Sequence, residues 1–364
     1  MEYEYWLSAI PYLSDKKKYL FRMHMKSARD AYYIEETELK KLDFLNEKDL
    51  VKILESKKNW NVKKEYEQLL KKQIQVIYRF EQAYPERLKN ISDPPYALYF
   101  KGRLPDEMQR SFAIVGARKC SPYGEKHACE FAKELAGEGI QIISGMAWGI
   151  DGAAHRGAIF GGGQTFAVLG NGVDICYPKE HIGLYTDILA HGGGILSEFP
   201  PGTRPLPNHF PKRNRIISGL SEAVLVMEAK EKSGSLITAD LALEQGKDVY
   251  ALPGPIDSIL SAGCHHLIRQ GAGILISPEK FLEEYGILQR KSASENQFGQ
   301  FTEKKVLESV EELVYSTFAV CSKNANEIIE ETGLPVEQVM KALVLLEIQG
   351  YIKEIAKSYY IKIK

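Results

Sequence analysis

The sequence contains few cysteines, no long apolar run and almost no net charge. Its five cysteines are scattered and never spaced as CxxC, which argues against a disulfide framework or a zinc knuckle. No apolar stretch approaches the roughly 18 residues of a membrane span, and residues 1–10 lack the regions of a signal peptide. We therefore expect a protein of the reducing cytoplasm, with no membrane contact.

The formal net charge of −1 means that any binding of nucleic acid has to use a local basic patch. The standard nucleotide signatures are also missing. No GxxxxGK[ST] motif occurs, and Gly170-Asn171-Gly172 starts like GxGxxG but has Ile175 in place of the third glycine. No Ser–His–Asp order or GxSxG elbow is present. We expect neither a cofactor nor a catalytic centre.

The length of 364 residues suggests two or three domains. Residues 1–80 show leucine and isoleucine at helical spacing, interleaved with lysine pairs such as Lys57-Lys58 and Lys71-Lys72. Such pairs could touch nucleic acid, although they more often form a solvated helix face. The proline-rich stretch 84–102 reads as a connection into a second domain.

From Ser111 onward, short apolar runs bounded by glycine alternate with helical stretches. This pattern predicts a mainly parallel sheet covered by helices on both faces, an extended Rossmann-like, doubly wound α/β fold. The polar stretch 289–300 reads as a linker, and the order after it (helix, turn, helix and hairpin) is that of a winged helix. The expected division is 1–80 (helical, of SAM or helix-hairpin type), 81–288 (Rossmann-like core), 289–300 (linker) and 301–364 (winged-helix-like). The expected strands are 112–115, 141–143, 165–169, 194–196, 223–227, 249–252 and 274–276.

Residues 141–157 are the most informative stretch. A short apolar strand breaks at Ser144 and Gly145 and continues as a helix from Ile150, so backbone N–H groups and a helix N-terminus point at one place. Other expected strand ends carry glycine, hydroxyl or cationic residues, and such ends meet at one edge of a parallel sheet. Together they predict a basic groove for phosphates, although each loop alone could be an ordinary turn.

Two other clusters have ordinary explanations. Cys264, His265 and His266 are adjacent on an expected helix and point in different directions, which favours packing or capping over metal binding. His155 follows Asp151 by one helical turn, and a contact on the helix face is more common than an acid–base pair.

Read together, these motifs resemble the DprA/Smf family (DNA processing protein A). The resemblance covers roughly residues 84–286. It rests on Gly116-Ala117-Arg118 with Ser121, on the run 144–155, on 168–174 with Tyr177-Pro178, on 210–221, on 233–238, on 252–254 and on 263–268. It implies a homodimeric, cytoplasmic protein that binds single-stranded DNA, and double-stranded DNA more weakly. The resemblance also implies that the protein helps to load the recombinase RecA onto single strands during natural transformation in competent cells, as a mediator with no established turnover reaction.

Within the resemblance, Arg118 and Lys179 match basic positions of the DNA groove. One departure is that Glu180 and His181 follow Lys179, where the family commonly has an asparagine. Combining the resemblance with the strand-end loops, we expect these residues to bind DNA or its phosphates: Arg118, Ser121, Ser144, Gly145, Met146, Gly149, Gly170, Lys179, Lys212, Arg213, Asn214, Arg215, Ser233, Gly234 and Ser235. Trp148 could either stack on a base or pack under its loop.

Two rival functions belong to other classes. A phosphoribohydrolase of the lysine-decarboxylase-like group would need a PGGxGTxxE loop, but the corresponding stretch 232–238 lacks the glutamate. A NAD-dependent oxidoreductase would need the complete glycine fingerprint. Residues 301–364 contain 8 Lys and 10 Glu, a formal charge of −2, which favours protein contact or weak DNA binding for the C-terminal domain.

Overall fold

In the part of the chain that the structure describes, nine strands form one sheet, and seven of them run parallel. The parallel strands are short apolar runs without a polar face, as a sheet covered on both sides requires. The computed structural model describes residues 1–287, 310–318, 323–348, 350–356 and 358–362. The sheet order is β1-β2-β6-β5-β4-β3-β7-β8-β9, with β1 and β2 joined antiparallel at one edge. The strands are β1 (Gln75–Tyr78), β2 (Ala97–Gly102), β3 (Ser111–Val115), β4 (Gln141–Ser144), β5 (Thr165–Val168), β6 (Gly194–Ser197), β7 (Ala223–Val226), β8 (Asp248–Ala251) and β9 (Gly273–Ile274).

The predicted mainly parallel α/β fold is confirmed, with a strand near each expected position. Two strands lie where none was expected. β1 falls within the stretch read as helical, and β2 within the proline-rich connection. Both are short runs of apolar and aromatic residues, and they pair with each other through Val76 and Tyr99.

Helices cover both faces of the sheet, and glycines allow the closest approaches. At Gly157, an added Cβ would lie 2.3 Å from the carbonyl oxygen of Cys129, so the two helices that carry these residues pack backbone to backbone. The covering helices are α7 (Glu86–Lys89), α8 (Pro122–Gly137), α9 (Ile150–Phe160), the 3₁₀ turn η1 (Lys179–His181), α10 (Ile182–Ala190), α11 (His209–Gly219), α12 (Gly234–Glu244), α13 (Ala262–Arg269) and α14 (Pro278–Glu284).

The N-terminal helices share a core with the sheet. Trp6 and Phe21 are fully buried in the same cluster as Tyr99 of β2, and the hydroxyls of Ser8 and Tyr99 are 2.6 Å apart. Residues Met1–Phe281 form one compact unit and Leu282–Lys364 a second. The predicted domain boundary near residue 80 stays a prediction. The helices are α1 (Glu2–Ala9), α2 (Asp15–His24), α3 (Ala28–Tyr33), α4 (Glu36–Leu39), α5 (Glu47–Asn59) and α6 (Val62–Lys71).

The second unit has its own small core around Leu343 and Val314. Its strands pair antiparallel in the order β10-β12-β11. Helix, helix and hairpin follow one another as expected, and the assignment as a winged helix stays a prediction. The expected linker, 289–300, lies outside the described residues. The elements are α15 (Val310–Thr317), β10 (Lys323–Asn324), α16 (Ala325–Thr332), α17 (Val336–Ile348), β11 (Ile352–Ala356) and β12 (Tyr359–Lys362). No helix formed by the described residues is long and apolar enough to span a bilayer.

Candidate functional site

A cavity lies where the strand order reverses. From the central strand β3 the chain proceeds to β4 on one side, and it returns on the other side as β7, so the loops after β3 and β7 diverge. A cavity of about 410 Å³ opens between them. It is lined by Val115, Gly116, Ala117, Arg118, Lys119, Ala147, Asp151, Pro207, Phe210, Pro211, Arg213, Asn214, Ile217, Lys230, Lys232, Ser233, Gly234, Ser235 and Thr238.

Cations dominate the charge of this lining. Arg118 and Lys119 come from the loop after β3, and Lys230 and Lys232 from the loop after β7; all four are exposed. A fifth cation, Arg213 of α11, lies buried in the wall. One carboxylate, Asp151 of α9, faces them. A concave surface with this excess of positive charge attracts anions.

Hydroxyls and a helix N-terminus complete the side formed by the loop after β7. Ser233 caps α12, and its hydroxyl lies 2.7 Å from that of Ser235. The Asn214 amide donates to the Gly234 carbonyl at 3.2 Å, which ties α11 to this turn. The positive end of α12 therefore points into the cavity beside Lys232. Of the residues expected from sequence, Arg118, Arg213, Asn214, Ser233, Gly234 and Ser235 meet here.

The glycine-containing stretch after β4 acts mainly as a frame for the cavity. Gly149 has φ +72°, and a Cβ there would lie 2.4 Å from the Ala117 carbonyl oxygen, so the loops after β3 and β4 touch through backbone. Ser144 is buried and donates its hydroxyl proton to the Ile114 carbonyl at 2.6 Å. Met146, also at positive φ, has a buried side chain, and its carbonyl accepts from His181 at 3.1 Å.

Arg213 and Asp151 face each other across Gly145. A Cβ at Gly145 would lie 2.6 Å from Arg213 Nη1 and 2.7 Å from Asp151 Oδ2, so only glycine fits between them. Arg213 Nη1 donates to the carbonyls of Gly145 and Val168. Burial lowers the pKa of Arg213 to about 10, an effect that Asp151 partly offsets. Burial also raises the pKa of the Asp151 carboxyl, and Arg213 acts against that rise.

The four consecutive residues Lys212 to Arg215 do not act together. Arg213 and Asn214 face the cavity, whereas Lys212 and Arg215 lie outside its lining and form ion pairs with Glu198, the residue after β6. Adjacent helical residues point about 100° apart, so four consecutive residues cannot all share one face.

Three further expected residues lie outside the lining. Ser121 caps α8, and its hydroxyl lies 2.5 Å from a carboxylate oxygen of buried Glu228. The Gly170 carbonyl accepts from His209 at 3.1 Å. Lys179 is exposed at the start of η1, beyond Tyr177. Of these, Lys179 alone presents a cation to solvent.

Aromatic side chains lead outward from the cavity. The Arg118 guanidinium lies 5.2 Å from the centre of the Phe210 ring, and the Tyr177 ring lies 5.7 Å from Phe210 at 34°. Tyr177 is 42% exposed and Trp148 is 46% exposed, and the ring centres of Trp148 and His181 lie 4.7 Å apart in a T-shaped arrangement. Trp148 is therefore partly open to solvent, available for stacking on a planar group.

Four residues that line the cavity are not among those expected from the sequence: Lys119, Lys230, Lys232 and Phe210. Their position gives a usable signal, since Lys119 directly follows Arg118 and both Lys230 and Lys232 lie in a strand-end loop before a helix. Phe210 is harder to predict, because an aromatic residue in a helix more often belongs to the core.

The two ambiguous histidine clusters make ordinary contacts. His155 is buried with Nδ1 2.7 Å from the Thr165 hydroxyl, so its hydrogen-bond partner is Thr165 rather than Asp151. Burial lowers the pKa of His155 to about 3, which keeps it neutral. His265 Nε2 lies 3.0 Å from the Gly254 carbonyl, and Cys264 is buried. Among the described residues, no group of three or more potential metal ligands occurs.

Fold and cavity together define a Rossmann-like α/β protein with a cationic cavity at the strand switch point. A family model described as DNA recombination-mediator protein A matches residues 75–286. Protein Smf of Escherichia coli (strain K12) is 42% identical over 278 residues, covering 76% of this chain and 74% of that protein. The chain belongs to the DNA recombination-mediator protein A family, as its motifs indicated.

Further relatives agree with this assignment. DNA processing protein DprA of Streptococcus pneumoniae is 46% identical over 205 residues, or 56% of this chain and 72% of that protein. Its X-ray structure matches with a TM-score of 0.66 at 35% identity, covering 78% of this chain and 98% of that one. DprA of Helicobacter pylori, whose structure is described as showing a single-stranded DNA binding mode, matches with a TM-score of 0.52 at 29% identity (58% and 95% coverage).

Proposed function

We propose that this protein binds single-stranded DNA at the cationic cavity and acts as a mediator rather than as an enzyme. The observation that carries the proposal is the convergence of Arg118, Lys119, Lys230 and Lys232 on one concave surface edged by partly exposed aromatic rings. Cations neutralise backbone phosphates, and aromatic faces stack on unpaired bases. The single-stranded DNA binding described for the Helicobacter pylori relative supports the same reading.

The proposed roles follow the geometry. The four exposed cations contact phosphates, while the N-terminus of α12, with Ser233, Gly234 and Ser235, supplies further donors. Arg213 and Asn214 hold the wall in place through their bonds to neighbouring loops. Ser121, Ser144, Gly145, Met146, Gly149 and Gly170 shape the loops, and Lys179 extends the charge outward. Lys212 and Arg215 are not assigned a phosphate.

Phe210 in the cavity wall, and Tyr177 and Trp148 outside the cavity, offer faces to bases that are not paired. A duplex hides the faces of its bases within the stack and offers mainly its backbone. We therefore expect double-stranded DNA to bind more weakly, through phosphate contacts alone.

Replacing Arg118 with glutamate tests the site. Arg118→Glu reverses a cation at the cavity mouth and should weaken binding of a short single-stranded oligonucleotide by at least about 10-fold in fluorescence anisotropy. Lys179→Glu should weaken it less. The matched control is Lys133→Glu, which makes the same charge change on α8, where Lys133 is paired with Glu134 rather than lining the cavity. If Arg118→Glu binds like the parent, the cavity is not the DNA site.

We further propose that the bound strand is handed to RecA during natural transformation, in the cytoplasm, as the term recombination mediator supports. The test is RecA-dependent strand exchange on DNA coated with single-strand-binding protein, with and without this protein. Parent protein should accelerate exchange and Arg118→Glu should not. If both proteins accelerated strand exchange, DNA binding at the cavity would not be required for the mediator activity.

We propose a homodimer as well. The edge strand β9 is paired only with β8 within the described chain, and Ile274 and Ile276 beside it are largely exposed. An open edge with apolar residues is suited to pairing with a second copy. Light scattering after size exclusion should give twice the chain mass of 41.0 kDa. Ile276→Lys should shift the protein to monomer, and a monomeric parent would contradict the proposal.

A further inference from the structure

Helix α11 has one face in the cavity and another face in an ion cluster, in which Asp15, Glu198 and Arg215 are buried and Lys212 is partly exposed. The cavity face carries Phe210, Arg213 and Asn214. On the other face, Lys212 Nζ lies 2.9 Å from Asp15 Oδ2 and 2.6 Å from Glu198 Oε2. The cluster therefore contacts the same helix as the cavity, on a different face.

The N-terminal residue of this cluster, Asp15, is largely withdrawn from water. It is 8% exposed and begins α2, and the buried Lys18 lies one turn along the same helix. Burial acts to raise the pKa of Asp15, but Lys18, Lys212 and Arg215 outweigh it and lower the pKa to about 2. Asp15 is thus a carboxylate that three cations hold in its ionised form.

The helices that present Asp15 are themselves fixed to the sheet. Lys18 Nζ donates to the Ser8 carbonyl at 2.6 Å, and the Ser8 hydroxyl lies 2.6 Å from that of Tyr99 in β2. On the opposite side, Arg215 binds both oxygens of Glu198 at 2.8 Å and the Asp93 carbonyl at 2.9 Å. Polar contacts thus connect β2 to α1, α1 to α2, and α2 to α11.

We propose that Asp15 is a positioning residue, through which the N-terminal helices hold α11 so that Phe210, Arg213 and Asn214 face the DNA cavity. This inference rests on the proposed DNA-binding function. The N-terminal helices then contribute to DNA binding without touching the strand. Lys212 connects Asp15 to Glu198 through two ion pairs, and its ammonium group contacts no phosphate.

The sign of one substitution separates positioning from simple electrostatics. Asp15→Asn removes a negative charge near a site that binds an anion, so charge alone predicts tighter DNA binding or no change. Positioning predicts weaker binding, by roughly 3- to 10-fold, since α11 loses one of its fixed attachments. The salt dependence of binding should stay that of the parent, because no phosphate contact is removed.

The experiment measures single-stranded oligonucleotide affinity at several salt concentrations for parent, Asp15→Asn and Asp43→Asn. Asp43 is an exposed carboxylate of the same N-terminal region, so Asp43→Asn makes the same charge change away from the cluster and should bind within about 2-fold of the parent. Parent-like or tighter binding by folded Asp15→Asn overturns the inference.

A second variant distinguishes weaker DNA binding caused by lost positioning from weaker binding caused by lower stability. Asp15→Asn leaves Lys18 buried with less compensation, whereas Asp15→Asn combined with Lys18→Met removes both charges of this pair and should recover much of the stability. Positioning predicts that the double variant still binds DNA weakly. Recovery of stability and affinity together would show a merely structural role. A parent that binds no single-stranded DNA would instead refute the proposed function itself.

Discussion

Arg215 offers a test of how the structure divides the basic run at residues 212–215. Arg215 is 6% exposed, and its guanidinium binds Glu198 through two contacts of 2.8 Å, with a third bond to the Asp93 carbonyl. Arg215→Met would leave Glu198, itself only 7% exposed, without its bidentate partner. We therefore expect this substitution to reduce the free energy of unfolding rather than the number of phosphates bound.

The magnitude follows from the geometry. Removing one partner of a buried ion pair costs about 3–5 kcal/mol, because the remaining charge stays buried. Lys212 Nζ still lies 2.6 Å from Glu198 Oε2, so the low end, about 3 kcal/mol, applies here. With a urea slope of about 3 kcal/mol per molar, the unfolding midpoint should fall by about 1 M.

Urea unfolding followed by circular dichroism measures this loss, and oligonucleotide binding across salt concentrations is measured under native conditions. Arg215→Met with Glu198→Leu removes both charges and should regain most of the lost stability. For folded Arg215→Met, the slope of log affinity against log salt should equal the slope measured for the parent. An Arg215→Met protein with the parent's urea midpoint and a shallower salt slope would mean that Arg215 contacts phosphate, contrary to this account.

Three further predictions concern the loops and the buried histidine. Lys230→Met should reduce the slope of log affinity against log salt by about 0.7, while Lys133→Met leaves it unchanged; equal slopes would remove Lys230 from the phosphate contacts. Gly149→Ala should lower the free energy of unfolding by about 1–3 kcal/mol or more and weaken DNA binding. Gly162 has φ +73° and no atom within 4 Å of an added Cβ, so Gly162→Ala should introduce backbone strain but no clash and leave DNA binding intact. His155 has a folded pKa of about 3, below its unfolded value, so its contribution to stability is complete above pH 6.5 and is lost as pH falls towards 3. Between pH 7 and pH 5 the free energy of unfolding should fall by about 2 kcal/mol because of this histidine. In urea unfolding, the stability of His155→Gln should therefore depend less on pH than that of the parent.

The sheet was predictable because its signal is local. Runs such as 112–115 and 223–227 are apolar throughout and bounded by polar or glycine residues, which is the pattern of a strand buried on both faces. β1 and β2 were not predicted, since each borders a helical or proline-rich stretch and gains its strand conformation by pairing with the other.

The site was predictable to the level of its loops but not of every side chain. Strand-end position correctly brings Arg118 and Ser233 to one cavity. One partner of Lys212 is Asp15, which lies 197 residues away in the chain, and no local pattern gives such a contact. Ser144 likewise forms its hydrogen bond with Ile114 of a neighbouring strand, which depends on the register of the sheet.

Whether the cationic cavity binds single-stranded DNA is tested most directly by the salt dependence of binding for parent and Arg118→Glu, with a duplex of equal length as competitor. Four exposed cations at the cavity predict a slope of log affinity against log salt near −3 for the single strand. Arg118→Glu should bind more weakly with a shallower slope, and the duplex should compete poorly. Salt-independent binding, or equal competition by the duplex, would contradict the account.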